Sequence, residues 1–335
     1  MFAPPPEVTG GKEPYIITWD LPQLLEYFRC LNDTNKPLIA VGTLESIKMK
    51  LTEGIKEILP EVPVWLIDAG KLQKRCGELK KSAQAEYPES TFLALDNLYF
   101  PGNEAKLQVT RILDWDTRNL PAPVRFPGAR PGFLPPTEQA AALAKNGVNK
   151  VIIGDAGIFD GGTLKFIKSI LNDNGIQIEA FVGAICGANA SGITAGMNID
   201  LFTAIELTAG PYEWIESRDF FDGIVPGGGI VVGKKSKIDP DVLKPYYKNG
   251  KPICIPYNRG FPGWSSIPEE KFEEFKNLCQ GLRETIRIEL GESLNKNIQP
   301  DDLATISQAY FGQVRGEIPV SINGFISPTP INWKV

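Results

Sequence analysis

The stretch that most constrains the fold is residues 148–171, Val-Asn-Lys-Val-Ile-Ile-Gly-Asp-Ala-Gly-Ile-Phe-Asp-Gly-Gly-Thr-Leu-Lys-Phe-Ile-Lys-Ser-Ile-Leu. Three consecutive β-formers, Val151, Ile152 and Ile153, predict a buried strand that ends at Asp155. The loop Asp160-Gly161-Gly162-Thr163 then opens an amphipathic helix with Leu164, Ile167 and Leu171 on one face. A strand, a glycine loop and a helix start in this order belong to α/β architectures. They also make an anion site, because the first N–H groups of a helix lack internal partners and its dipole favours negative charge there. Two readings of the loop stand side by side. In one, Gly161, Gly162, Thr163 and Leu164 cradle a phosphate, with Asp155 beside it. In the other, Asp160 or Thr163 caps the helix and the glycines only make the turn. The position at the C-terminal end of a strand, where open α/β sheets bind ligands, favours the first.

The same rhythm occurs elsewhere. Asp20 caps a predicted helix over Leu21–Leu31, with Leu24, Leu25 and Phe28 as its stripe. Pro37–Gly42 reads as a short buried strand, Thr43–Ser46 as a loop, Ile47–Leu59 as a helix and Val62–Asp68 as the next strand. This forms one β-α-β unit, which favours a parallel pair. A second unit comprises a helix over Glu138–Lys145, the strand at 148–153, the helix at 163–173 and a strand over Ile178–Ile185, followed by a strand over Leu201–Leu207. Residues 186–198 are small and polar, either a ligand-facing loop or a turn.

Between the units, residues 69–136 carry turn formers and several arginines, among them Arg111, Arg118, Arg125 and Arg130, and read as a long loop or lid. Strands over Phe92–Leu95 and Leu107–Leu113 are expected inside it. Further on, Ile224–Val232 reads either as a hairpin around Gly227-Gly228-Gly229 or as a second anion nest, and a long helix covers Pro268–Leu290. The expectation is an α/β fold, a doubly wound, mostly parallel sheet flanked by helices, with additional C-terminal α+β elements. Its parts are an extended N-terminal arm at 1–20, a core at 21–208 and a C-terminal extension at 209–335.

Composition narrows the chemistry. The chain has no histidine among 335 residues, which removes imidazole bases, His triads and His metal ligands. Its five cysteines are far apart in sequence and fit free thiols in a reducing, cytoplasmic setting. The formal net charge of −5 gives no global nucleic-acid footprint. No apolar run approaches a membrane span, and the first residues lack the pattern of a secretory signal. Catalysis would fall to carboxylates, Lys, Arg, Tyr, backbone dipoles or a hard metal.

The two β-α-β units together resemble the core of the type I phosphoribosyltransferases. In that family a strand ends in an acidic pair, and a loop ending in Thr-Gly-Gly-Thr or similar opens a helix. Here Val-Ile-Ile-Gly-Asp155-Ala156-Gly-Ile-Phe-Asp160-Gly161-Gly162-Thr163-Leu164 fits that frame. The resemblance implies a phosphorylated ribose ligand, phosphoribosyl pyrophosphate or a nucleotide. Gly161, Gly162, Thr163 and Leu164 would hold its 5′-phosphate, and Asp155 its ribose hydroxyls. It implies that Gly42, Thr43, Leu44, Glu45 and Ser46 form the pyrophosphate loop. One or more of Arg111, Arg118, Arg125 and Arg130 would close over the pyrophosphate. Asp155 and Asp160 become the catalytic candidates. Magnesium would sit on the leaving group, with Asp155 and Glu45 as indirect contacts.

The activity implied is transfer of phosphoribose to or from a nitrogenous base, within nucleotide metabolism. Tyr212, Trp214 and Phe220 are candidates to stack on the base. Ala156 replaces the second acid of the pair, Phe159 stands where the family commonly has Asp, and Glu45 puts a negative charge in the pyrophosphate loop. These departures carry the alternative, a non-catalytic nucleotide or sugar-phosphate binder that kept the phosphate loop and lost the pyrophosphate site. Assembly into a homo-oligomer is left open.

Overall fold

A computed structural model describes residues 14–23, 25, 39–96, 98–102, 105–114, 125–130, 133–207, 213–220, 229–235, 243–245, 247–248, 251–252, 254–256 and 267–294. In chain order its main elements are β1 (Tyr15–Trp19), α1 (Val41–Ile58), β2 (Val64–Asp68), α2 (Ala69–Glu86), β3 (Thr91–Ala94), β4 (Ala105–Lys106), β5 (Val109–Asp114), β6 (Arg125–Ala129), α3 (Pro136–Lys145), β7 (Lys150–Asp155), α4 (Gly162–Asn172), β8 (Gln177–Cys186), α5 (Ala190–Ala195), β9 (Asp200–Glu206), β10 (Glu213–Glu216), β11 (Gly229–Lys235) and α6 (Phe272–Leu294). The fold is mixed α/β. The chain divides into two compact units, one made of residues 1–68, 112–126 and 212–335, the other of residues 69–111 and 127–211.

The second unit holds a five-stranded sheet in the order β4-β3-β7-β8-β9, parallel throughout. The helices α3, α4 and α5 connect its successive strands β3, β7, β8 and β9, and such crossovers let neighbouring strands run parallel. β7 and β8 lie inside the sheet and are mostly apolar, with Val151, Ile152, Ile153, Ala180, Val182, Ala184 and Ile185 all at 0% exposure. The helix α4 buries Leu164, Ile167, Ile170 and Leu171, a spacing that follows the helical period. Each such side chain contributes about 1.5–3 kcal/mol of transfer free energy. Leu164, Ile167 and Leu171 join Val151, Ile153, Ile178 and Phe181 in one core cluster. α2 packs on β8 and β9.

The first unit contains a three-stranded parallel sheet, β10-β1-β2. All five residues of β1 are buried, as its central position requires. In the same unit β11 pairs parallel with Ile112–Asp114 of β5, and antiparallel with Leu243–Pro245 and Cys254–Pro256. α1 packs against α6, whose Phe275, Cys279, Leu282, Ile286 and Leu290 are buried. The close approach uses Gly54, since a Cβ there would lie 2.6 Å from Leu278 Cδ2.

Several expectations are corrected. Of the strand expected at Pro37–Gly42, residues 37 and 38 lie outside the described residues, and the described part, 39–42, holds no strand: a helix begins at Val41, itself 71% exposed, so the expected β-α-β unit is not seen among the described residues. The parallel partners of β2 come instead from β1, inside the region expected to be an extended arm. The lid expected from residue 69 begins with the 18-residue helix α2, whose Leu72, Cys76, Leu79 and Ala83 are buried. The polar segment 186–198 contains the short helix α5. The strands near 92–95 and 107–113, and the elements from Glu138 to Leu207, fall within a few residues of expectation. Residues 221–228, where the hairpin's glycine turn was expected to begin, lie outside the described residues, and β11 takes the partners given above. Most of the first predicted helix also lies outside them.

Candidate functional site

The loop between β7 and α4 lies at the C-terminal edge of the parallel sheet, and β8 fixes its shape. Ile185 N–H donates to Ala156 O at 2.9 Å and Gly187 N–H donates to Ile158 O at 2.8 Å. Gly157 lies between these two bonds, and a Cβ on it would come within 1.8 Å of Ile185 O, so no other residue fits there without moving the strand. Gly161 precedes α4 with φ +72°, and a Cβ there would also meet Ile193 Cγ2 at 2.7 Å. Backbone conformation and packing therefore require both glycines, independently of any ligand.

Over this loop lies a cleft lined by Leu95, Arg111, Asp155, Gly157, Ile158, Phe159, Asp160, Gly161, Thr163, Leu164 and Phe181. All of them belong to the second unit. The cleft is small and partly open, with ≈ 20 Å³ accessible to water, room for about one water. A larger ligand would lie across the rim and place one small group inside.

Asp155 ends β7, on the same face as Val151 and Ile153 by the two-residue period of the strand. It is half-buried, and its Oδ1 accepts the N–H of Ala156 at 2.8 Å. Burial of its carboxyl, reinforced by the neighbouring charge of Asp96, pushes its pKa up to about 7, against the lowering effect of the Ala156 N–H, Arg111 and Arg130. Asp96 follows β3, which pairs with β7 through Leu93–Ile153 and Ala94–Gly154. Its Oδ1 accepts the N–H groups of Leu98 at 2.7 Å and Tyr99 at 3.1 Å.

Asp160 resolves the two readings of the glycine loop in a mixed way. Its Oδ1 accepts the N–H of Gly162 at 2.9 Å, so the side chain occupies one of the amides assigned to a phosphate. It does so as a turn rather than as a helix cap, since the cap position is Gly161 and carries no side-chain bond. Thr163 and Leu164 nevertheless line the cleft with Asp155 and Arg111.

The four flagged arginines differ. Arg111 is exposed on β5 and lines the cleft. Arg130 directs Nε and Nη2 to Val109 O at 3.4 and 3.2 Å. Arg118, and the side chain of Arg125 on β6, lie outside the described residues. Gly42, Thr43, Leu44, Glu45 and Ser46 form no loop; they are the start of α1 in the first unit. Leu44 N–H donates to Ala40 O at 3.0 Å, and Glu45 is ion-paired with Lys48 at 3.3 Å. Trp214 is half-buried on β10 of the first unit, while Tyr212 and the side chain of Phe220 lie outside the described residues.

Sequence reasoning missed Asp96, Gly157 and the apolar walls Leu95, Ile158 and Phe181. Asp96 carried a signal, because it follows an apolar strand just as Asp155 does. Burial disfavours the thiolate form of the unit's buried thiols. Cys76 is pushed up to about 12, first by burial and then by Asp96 and Cys186, and burial also raises Cys186.

The donors do not fit a protein-held magnesium. Among the described residues no group of three or more acidic or thiol ligands comes together, Glu45 is committed to Lys48, and Asp155 holds a proton up to about pH 7. Among the described residues no helix is long and apolar enough to cross a membrane. No protein-family model, curated protein or solved structure matches the chain.

Proposed function

We propose that the second unit binds a small phosphorylated ribose ligand across the Asp155–Leu164 loop, on a doubly wound, phosphoribosyltransferase-like core. One observation carries this reading: Asp155, Arg111, Thr163 and Leu164 line a single cleft at the C-terminal edge of a parallel sheet, where such sheets take ligands. The phosphate would meet the first turn of α4 and the Arg111 guanidinium, and Asp155 would face the sugar. Binding without transfer is the form of the proposal that the residues support best. The segment matched to a pyrophosphate loop is helical, and Asp160 already occupies the Gly162 amide. The loop after β3 now takes the neighbouring position, and it carries the charge of Asp96.

A second reading, phosphoribosyl transfer, is favoured by the position of Asp155. A carboxyl that titrates near neutral pH can give or take a proton in a reaction. No step through magnesium is derived, since the donor set does not fit it.

Calorimetric titration tests the reading. Ribose 5-phosphate, nucleoside monophosphates and phosphoribosyl pyrophosphate are compared, the last with and without Mg²⁺. Saturable binding of the monophosphates supports the binder. Mg²⁺-dependent binding confined to the pyrophosphate form, with pyrophosphate released when a base is added, supports the transferase. Heats of dilution alone for every ligand would overturn the phosphate site.

A further inference from the structure

Asp155 brings its carboxyl to the same cleft that Thr163 and Leu164 line at the start of α4. Among the described residues its hydrogen bonding is limited to the Ala156 N–H on Oδ1, and no ion pair reaches it, whereas Asp20 holds the Arg218 guanidinium. Leu95, Ile158, Phe159, Leu164 and Phe181 supply apolar walls to the cleft. An oxyanion entering so small a space lies close to the carboxyl with little water between them, where like charges repel most strongly. The ionisable groups around Asp155 are Asp96 after β3, Arg111 on β5, Arg130 after β6, Asp160 in the loop and the Cys186 thiol on β8. Resting on the phosphate-site reading above, we infer that Asp155 gates the cleft through its proton: the neutral carboxyl admits an anionic ligand, and the carboxylate turns it away. The carboxyl titrates at about 7, so the gate works in the neutral range. Ligand and proton are linked reciprocally. An anion that prefers the protonated form raises the pKa of Asp155 further, and binding above about pH 7 takes a proton from solvent onto the carboxyl. Affinity is full below the midpoint and falls as pH rises through it.

The test is a calorimetric titration of wild type and Asp155→Asn with inorganic sulfate and with ribose 5-phosphate, from about pH 6.5 to about pH 8.5. It is repeated near pH 8 in two buffers of different protonation enthalpy, which counts the protons taken up. Sulfate keeps its charge over this range, whereas a phosphate monoester gains charge near pH 6, so the two probes separate titration of the protein from titration of the ligand. Wild-type affinity for both probes should fall by about tenfold across the range, as a shift of one pKa unit or more on binding requires, with proton uptake near pH 8. Asp155→Asn should lose both the slope and the proton uptake, whatever its affinity. Wild-type binding that stays level with pH, with no proton taken up, overturns the gate while the site reading stands. A slope that persists in Asp155→Asn overturns the assignment to Asp155. If wild type binds neither probe even at the lowest pH, the site reading itself falls. Should Asp155→Asn fail to fold, proton uptake by wild type with sulfate still decides the question.

Discussion

Asp20 and Asp155 both sit at the C-terminal end of a parallel strand, yet their surroundings differ. At the end of β1, Asp20 is fully buried. Its Oδ1 accepts the Ser217 hydroxyl at 2.7 Å and the Arg218 N–H at 3.0 Å, and the Arg218 guanidinium reaches its Oδ2 at 3.3 Å. Ser217 Oγ in turn accepts the N–H groups of Asp20 and Leu21. At the end of β7, Asp155 is half-buried over a cleft, accepts the Ala156 N–H, and titrates near neutral pH. One carboxylate is committed to holding strand ends together. The other is held in place by the backbone but not neutralised by a partner of the same strength. An acid at a strand end is therefore no sign of function by itself. Its partners decide what it does.

That contrast can be broken by mutation. The largest effect is expected for Asp20→Ala, which leaves the buried Ser217 hydroxyl and Arg218 N–H without their acceptor and the Arg218 guanidinium with Glu216 alone, and costs about 2–4 kcal/mol of stability in urea unfolding. A loss below about 1 kcal/mol would place Asp20 in the same category as Asp155. Next comes Gly157→Ala, whose Cβ meets Ile185 O and should cost about 1–3 kcal/mol, with ligand binding falling in parallel. Preserved stability would mean that β8 does not clamp the loop.

Asp155→Asn should act in the opposite direction and depend on pH. The folded pKa lies above the unfolded one, so the folded state holds a proton that the unfolded state releases. Wild-type stability on this account falls as pH rises from about 4 to about 7 and then levels. The variant should match wild type near pH 4 and exceed it by on the order of 1–2 kcal/mol at pH 8. Equal pH dependence in the two proteins would contradict a raised Asp155. The smallest stability change is expected for Arg111→Gln, within about 0.5 kcal/mol, because the side chain is exposed.

Where the sequence carried clean periodicity, it was readable. Leu164, Ile167 and Leu171 at helical spacing, after Val151–Ile153 and a glycine turn, gave β7, the loop and α4 nearly as they stand. The apolar run from Leu38 to Val41 misled because a short apolar run is common to strands and buried helices. No side-chain cap at Ala40 marks the start of α1. The helix α2 did carry Leu72, Cys76, Leu79 and Ala83 at helical spacing, but its lysine-rich outer face resembled a loop. The cleft was half legible. Asp155, Thr163 and Leu164 lie in one local motif, whereas Arg111 and Leu95 reach it only through the pairing and packing of distant segments. No local pattern distinguishes Arg111 from Arg130, and the reason Gly157 is required lies 28 positions away on β8.

The most direct test of the central claim, that Asp155 is a poised acid in a ligand cleft, is a ¹³C NMR titration of its carboxyl carbon, assigned with Asp155→Asn, with and without ribose 5-phosphate. The account predicts a midpoint near pH 7 that moves when the ligand is added. A midpoint near 4, the same in both samples, would contradict it.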